Sequence, residues 1–192
     1  MNIKIDKHGI KLLSAIALFA GKKDIRYYLN GVHFELLDGV LRIVATNGHF
    51  AATAVLARNI DGPNFKATLA TEHIVTLCKN KNGIDLNIEP SSIGLTIFNF
   101  GYTRAMAVEG VYPEWRRVVT ESNSPEETGY YNANLLATIA KASIVSGFNK
   151  NGFYSLSQRG TNAAPFYFGP ISGIVMPLRM PEFDNASFLK NL

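Results

Sequence analysis

Residue types that often carry out catalysis occur in this chain, but their spacing matches no catalytic or metal-binding motif. None of the four histidines pairs with a cysteine or carboxylate at metal-ligand spacing; they are His8, His33, His49 and His73. The sequence has no glycine-rich phosphate loop, no serine elbow and no HExxH motif. The single cysteine, Cys78, lies in an apolar segment that favours a packed thiol. We therefore expect no catalytic site, no metal and no cofactor, and predict that the protein is not an enzyme.

A second kind of chemistry, contact with phosphate groups, is suggested by basic residues at helical spacing. Lys7, Lys11 and Lys22 recur on one side of an otherwise apolar segment, together with Ser14. Such lysines can contact a nucleic-acid backbone, but they also occur on any solvated helix face, and both interpretations stay open. The chain has 19 Lys and Arg against 15 Asp and Glu, and its net charge of +4 permits a polyanionic partner without requiring one.

The composition is that of a globular protein. Hydrophobic residues make up 47% of the 192 residues, which is enough for a substantial core. Residues 1–6 lack the apolar stretch of a signal peptide, and no apolar run approaches the ~20 residues that cross a membrane. These features predict a soluble, cytoplasmic protein with no membrane partner.

The elements that position these residues repeat in the order strand, helix and three strands. The first unit (2–57) has a strand at 2–6, a helix from its N-cap Asp6 to about Ala20, and a three-stranded meander through 25–57 with turns at Asp38-Gly39 and Asn47-Gly48. The second unit (65–108) has a strand at 65–70, a helix capped by Thr71, and strands at 84–88, 93–100 and 102–108. The third unit (129–180) has a strand at 129–131, a helix at 133–146 capped by Asn132, and strands at 153–158, 165–168 and 173–179. This order predicts an α+β fold with helices on one face of antiparallel sheets.

Three separated segments of the chain resemble the bacterial replicative sliding clamp family, the β subunit of DNA polymerase III. The first segment is a predicted hairpin: its residues 26–35 read RYYLNGVHFE and its residues 41–49 read LRIVATNGH, similar to the family's RYYLNG-x-x-FE and ATDGH. Residues 112–118, YPEWRRV, are similar to FPDYRRV, and residues 174–180, IVMPLRM, to a VMPMRL-like ending. The resemblance implies the DNA-clamp fold, built from repeated β-α-β-β-β half-units.

The resemblance also implies a domain organisation. Residues 1–119 are similar to one complete domain, the clamp's middle domain, and residues 120–128 read as a linker. Residues 129–180 are similar to the second half of the clamp's last domain, and residues 181–192 read as a tail. The family's first domain and the first half of its last domain have no counterpart in this sequence.

In the family, the three segments converge on a surface pocket that takes short apolar peptides from the polymerase and other DNA-processing proteins. The matching positions here are Leu29, Thr46, Gly48, His49, Phe50, Pro113, Arg117, Val118, Ile174, Met176, Pro177 and Arg179. An apolar floor with a flexible methionine suits leucine and phenylalanine anchors. The family's Arg-Leu after Gly-His is Phe50-Ala51 here, which removes a hydrogen-bond donor and widens the expected floor.

The family's helices line a hole around duplex DNA, which implies a second set of site residues. Lys7, Lys11, Lys22 and Lys141 would face the duplex, with Arg26 and Tyr27 nearby. Contacts of this kind reach phosphates and carry no sequence information, so the implied DNA binding is non-specific.

The function implied by the resemblance is that of a replication processivity factor. Its partners would be double-stranded DNA, DNA polymerase or other proteins with clamp-binding motifs, and a clamp loader that places it on DNA. Two alternatives stay open. One is a decoy or regulator of the host clamp that binds such peptides without encircling DNA, and the other is a DNA-binding regulator with a borrowed clamp fold.

Self-association is a further expectation. The third unit lacks the half-domain on which it packs in the family, so its sheet edge and the apolar residues Leu135, Leu136 and Ile139 are predicted to be uncovered. An open edge and an apolar patch favour pairing with another copy, which predicts a homo-oligomer, a dimer or a tetramer. The alternative is that residues 181–192 cover this surface through Phe183, Phe188 and Leu189 and keep the chain monomeric.

Overall fold

Two antiparallel sheets and three α-helices make up the computed structural model, which describes residues 1–90, 96–117 and 127–179. The four-stranded sheet has the order β1 (Asn2–Asp6), β6 (Gly83–Glu89), β7 (Ile97–Phe100) and β8 (Thr103–Met106). The seven-stranded sheet has the order β5 (Phe65–Ala70), β2 (Gly31–Leu37), β3 (Val40–Thr46), β4 (Phe50–Ala57), β11 (Ile171–Val175), β10 (Ala164–Phe168) and β9 (Ser155–Leu156). The helices are α1 (Lys7–Ile16), α2 (Thr71–Leu77) and α3 (Ala133–Val145). The predicted α+β class is confirmed.

The first two units exchange their first strands. Strand β1 of the first unit pairs with β6 of the second, and β5 of the second unit pairs with β2 of the first. Because each sheet therefore contains strands from both units, the two units share one core, in which α1 and α2 pack on the sheets.

The third unit joins the first through the strand pair β4–β11. The register runs from Ile171 opposite Ala54 to Val175 opposite Phe50, and α3 packs beside α1. Ile139 is consequently fully buried in the common core, so the prediction that it lies uncovered is wrong. Leu135 and Leu136 are partly buried against the same core. The first unit covers these residues, because β4 pairs with β11 and α1 packs beside α3. The apolar periodicity of α3 does not reveal this strand pairing.

Two of the three predicted helix caps are confirmed. The Asp6 carboxylate accepts a hydrogen bond from Gly9 N (2.8 Å), and the Asn132 side chain accepts one from Asn134 N (2.9 Å). The prediction for Thr71 is wrong, because Thr71 is the first residue inside α2 and its hydroxyl donates to the Asn30 carbonyl at 3.0 Å. That bond ties the start of α2 to the loop before β2.

Several predicted strands are shorter in the structure. Tyr27–Leu29 form a 3₁₀ helix, because the Asn30 side chain holds residues 24–30 as a closed loop through hydrogen bonds to the Asp24 backbone. The predicted strand at 129–131 is reduced to an isolated bridge at Tyr130, and the one at 153–158 to the two residues of β9. Strand β11 ends at Val175, before Pro177, which has no N–H to donate to a ladder.

None of the helices within the described residues is both long enough and apolar enough to cross a membrane.

Candidate functional site

A cavity of about 230 Å³ lies where the three segments of the resemblance meet, beside the end of the β4–β11 pair. Its lining residues are Arg26, Leu29, Thr46, Gly48, Phe50, Ala51, Pro113, Glu114, Trp115, Ile174 and Met176. Leu29 is fully buried at the base, whereas Met176 is half-exposed at the mouth. The cavity thus has an apolar base and a charged rim, which suits a ligand with apolar anchors.

The turn between β3 and β4 is held rigidly by its own side chains. The Thr46 hydroxyl donates to the Phe50 carbonyl (2.7 Å) and accepts from Gly48 N (3.1 Å), while Asn47 Oδ1 accepts from His49 N (2.9 Å). Gly48 has a φ of +89°, a conformation that favours glycine. The Asn47-Gly48 pair predicted as a turn therefore places Thr46 and Gly48 in the cavity wall.

Arg26 lies over this turn. Its guanidinium binds the Asp24 carboxylate through Nε (3.0 Å) and Nη2 (2.8 Å), and Nη2 also donates to the Asn47 carbonyl at 3.3 Å. These hydrogen bonds lower the pKa of Asp24 to about 2. A Cβ at Gly48 would lie 3.1 Å from both terminal nitrogens of Arg26. The missing side chain at Gly48 therefore makes room for the Arg26 guanidinium. Arg26 was predicted to contact DNA, and in the structure it lies at the cavity rim.

Phe50 and Ala51 have different roles in the cavity. The Phe50 ring packs edge-on against Phe19 in the core, with ring centroids 4.9 Å apart. Ala51 stands opposite Ile174 in the β4–β11 register, and both line the cavity. The small side chain at Ala51 leaves space beside Ile174 that a larger residue would fill.

The remaining predicted pocket residues do not line this cavity. His49 borders a neighbouring groove of about 350 Å³, and Arg117, Pro177 and Arg179 line neither space. Val118 lies outside the described residues. Four lining residues are absent from the predicted set, namely Arg26, Ala51, Glu114 and Trp115. Ala51 is the position expected to widen the floor, and Glu114 and Trp115 belong to the quoted YPEWRRV segment.

The groove continues the cavity toward α3. It shares Arg26 and Phe50 with the cavity, and its other lining residues are Leu18, Ala20, Gly21, Lys22, Asp24, Asn47, His49, Asn134, Leu135 and Thr138. Most of these side chains carry hydrogen-bonding groups or charge. An extended ligand could therefore place apolar side chains in the cavity and polar groups in the groove.

The predicted DNA-binding lysines are exposed on the two packed helices and beside them. Lys7 and Lys11 lie on α1, which packs beside α3, and Lys141 lies on α3. Asn134, Thr138 and Lys141 are spaced i, i+4 and i+7, so they lie on one face of α3. Asn134 and Thr138 on this face line the groove, and Lys22 lines the same groove.

Within the described residues, no group of three or more His, Cys, Asp or Glu could hold a metal ion.

A segment of residues 109–117, here called the wall segment, forms one side of the cavity through Pro113, Glu114 and Trp115. It crosses the outer face of β2, where Tyr112 stacks on His33 with centroids 4.2 Å apart and 7° between the ring planes. His33 Nδ1 lies 3.0 Å from the Thr68 hydroxyl oxygen. Burial lowers the pKa of His33 from 6.5 to about 4, outweighing the opposing effect of Glu35, and burial also raises the pKa of Tyr112. The stacked imidazole is therefore neutral near pH 7.

We expect this depressed pKa to make stability fall in mild acid. The unfolded chain takes up the His33 proton near pH 6.5 and the folded protein only near pH 4, so the stabilisation is complete above pH 6.5 and is lost as the pH falls toward 4. The loss attributable to His33 is about 3 kcal/mol. The free energy of unfolding is measured by denaturant titration for the wild type and for His33→Gln at several pH values between 4 and 7. The free energy should fall more steeply with decreasing pH in the wild type than in His33→Gln, and His73→Gln serves as a control. Parallel pH profiles for wild type and His33→Gln would contradict the expectation.

A sequence profile described as the DNA polymerase III beta subunit, central domain, matches residues 5–114. The chain is 27% identical over 140 residues to the beta sliding clamp of Haemophilus influenzae, and 28% identical over 141 residues to that of Escherichia coli K12. Each alignment covers 71% of this chain and 38% of the relative, so the chain spans well under half the length of these curated relatives.

Solved structures with the same arrangement come from several bacteria. The sliding clamp of Pseudomonas aeruginosa aligns with a TM-score of 0.72 at 16% identity, over 94% of this chain and 66% of that one. The DNA polymerase III beta subunit of Thermotoga maritima aligns with a TM-score of 0.66 at 12% identity, over 97% of this chain and 66% of that one. At these identities the likeness concerns the fold alone, and it confirms the predicted clamp fold.

Proposed function

Since the chain belongs to the DNA polymerase III beta subunit family, the bacterial sliding clamps, we propose that it binds short apolar peptide segments of DNA polymerase or other DNA-processing proteins. The observation that carries the proposal is the cavity itself, which is assembled from residues as distant in sequence as Leu29, Pro113 and Met176. Such convergence at an apolar base is typical of a binding site rather than of packing alone.

The peptide would bind with apolar anchors in the cavity and its polar part along the rim. Leu29 and Ile174 offer an apolar base, and Met176 is unbranched and can adapt to different anchors. Arg26, held in place by Asp24, would take a carbonyl or carboxylate group of the peptide. The adjoining groove at His49 would take the flanking residues.

Non-specific binding of duplex DNA is the second part of the proposal. Lys7 and Lys11 on α1 and Lys141 on α3 are exposed on two helices that pack side by side, and Lys22 lies beside α3. Phosphate contacts from such lysines would hold DNA without reading its sequence. In this role the protein is an accessory factor without a catalytic site of its own, and a clamp loader would place it on DNA.

Encircling DNA would require further copies of the chain. The edge strands of the four-stranded sheet, β1 and β8, are open within the described residues. Tyr102, just before β8, and Met106, its last residue, are exposed. Open edges favour strand pairing between copies, which supports the predicted dimer or tetramer.

A decoy or regulator that binds clamp-binding peptides without encircling DNA is a second candidate function. The pairing of β4 with β11 favours it, because this pairing brings together all sides of the cavity within one chain. Peptide binding would then need no ring.

Calorimetry with short peptides carrying Leu and Phe anchors tests the proposed peptide site. We expect dissociation constants in the micromolar range, because a short anchor buries little area. Met176→Ala should weaken binding about five- to tenfold, as for an anchor-contacting residue at a hot spot. Met106→Ala, a matched change at an exposed methionine on β8, should leave binding unchanged. Absence of binding heat with several such peptides on folded protein would refute the proposal.

A further inference from the structure

On each side of the three wall-segment residues that face the cavity, one side chain of the segment binds to strand β2. Pro113, Glu114 and Trp115 line the cavity, and their neighbours in sequence on either side are Tyr112 and Arg116. Tyr112 stacks on His33, and Arg116 binds Glu35. His33 and Glu35 are two residues apart on β2, so they lie on the same face of the sheet.

The Glu35–Arg116 pair is a two-point interaction between a buried carboxylate and a partly exposed guanidinium. Arg116 donates from Nη1 to Glu35 Oε1 (3.0 Å) and from Nη2 to Oε2 (2.5 Å), and the Glu35 side chain is only 1% exposed. Lys66 Nζ lies 3.1 Å from Glu35 Oε1 and 3.8 Å from Glu114 Oε2. Burial alone would raise the pKa of Glu35, but the hydrogen bonds from Arg116 and Lys66 outweigh it and lower that pKa below its usual value. The carboxylate is therefore charged in the folded protein and satisfied by two cations.

The backbone offers the wall segment little support of its own. Val108 N donates to the Thr68 carbonyl at 2.8 Å, just before the segment begins. Within the described residues, the segment's one backbone hydrogen bond is internal, from Arg117 N to the Glu114 carbonyl at 3.1 Å. Pro113–Trp115 are thus held over the cavity mainly by side chains: Tyr112 on His33, Arg116 on Glu35, and Trp115 packed against Leu29 and Val44.

Trp115 connects the ion pair to the cavity directly. The Arg116 guanidinium carbon lies 4.4 Å from the centre of the Trp115 ring, and Trp115 lines the cavity. A second cavity of about 610 Å³, lined among others by His33, Glu35 and Lys66, is also bordered by Pro113, Glu114 and Trp115. The wall segment therefore borders two cavities and has room to shift if an anchor is lost.

We propose that Glu35 and Arg116 are positioning residues for the peptide site: their ion pair, with the His33–Tyr112 stack, holds Pro113–Trp115 in place as the cavity wall. This inference rests on the proposed peptide binding. The ion pair does not touch the peptide; it acts through the wall segment. Loss of the pair lets the segment move toward the second cavity and opens the peptide site on one side.

The single tryptophan of the chain, Trp115, allows the wall to be observed without any ligand. We expect Glu35→Gln to shift Trp115 emission and to increase its quenching by acrylamide, while the far-ultraviolet circular dichroism stays that of a folded protein. The same variant should weaken binding of a Leu- and Phe-anchored peptide about tenfold, because the wall segment loses the charged two-point bond that ties Arg116 to β2. Glu89→Gln is the matched control, since Glu89 accepts a hydrogen bond from Asn99 on the other sheet and should change neither readout.

Arg116→Lys keeps the positive charge but replaces the two guanidinium nitrogens that bind the carboxylate with one ammonium nitrogen, and it is the variant to use if Glu35→Gln does not fold. It should change Trp115 quenching and peptide affinity in the same direction as Glu35→Gln, but by less. Unchanged Trp115 quenching, or unchanged peptide affinity, in a folded variant would overturn the inference. If the wild type binds no peptide, the proposed function fails instead, and Trp115 quenching alone then decides whether the pair positions the wall.

Discussion

Replacing Gly173 by valine should detach the third unit from β4 and remove the peptide site. A Cβ at Gly173 would lie 2.2 Å from the Ala51 carbonyl oxygen and 2.4 Å from the Phe166 ring. The ring could turn away, but the carbonyl belongs to the paired strand β4, so the strands must separate. We expect a loss of about 3 kcal/mol in unfolding free energy. The cavity should be lost as well, because Ile174 follows on the same strand and Met176 lies directly after its end.

Denaturant unfolding and peptide calorimetry measure the two effects. Ser172→Val is the matched control, since Ser172 is exposed on the same strand and valine is favourable there. It should leave stability within about 0.5 kcal/mol of the wild type and peptide binding unchanged. Wild-type peptide affinity in a stable Gly173→Val protein would show that the β4–β11 contact does not build the site.

Reversing the charge of Lys7 and Lys11 together should abolish binding to duplex DNA. In the proposed role, the wild type binds DNA weakly, independently of sequence, and with a steep dependence on salt, because its lysines release counterions from phosphates. Each lost phosphate contact lowers the slope of log K against log salt by about 0.9. Lys7→Glu with Lys11→Glu replaces two attractions by two repulsions on the exposed side of α1. Fluorescence anisotropy over a salt series measures both affinity and slope.

Arg58→Glu with Lys81→Glu is the control for net charge. Both residues are exposed outside the helices and strands, and the pair changes the total charge by the same amount. DNA affinity that falls equally in both double variants would mean that total charge, not the α1 face, attracts DNA. Preference of the wild type for one DNA sequence would favour the regulator with a borrowed fold. A monomer by light scattering would favour the peptide-binding decoy.

Features that depend on neighbours in sequence could be predicted without the structure. The caps at Asp6 and Asn132 depend on a side chain and a backbone group within three residues, and the Asn47-Gly48 turn is equally local. The three motif segments could be recognised for the same reason, since each is a continuous string. The resemblance then supplied most of the cavity lining, from Leu29 to Met176, which periodicity alone does not indicate.

Features that depend on contacts between distant segments could not be predicted. The Glu35–Arg116 pair joins residues 81 positions apart, and the sequence marks neither as the other's partner. Arg26 reads as one more basic residue until the chain folds it over Gly48. The burial of Ile139 depends on β11 pairing with β4, a choice among several open strand edges. The sequence by itself thus determined the local elements and the family, whereas the tertiary structure decided which surfaces are covered and which side chains meet, because those depend on long-range pairing.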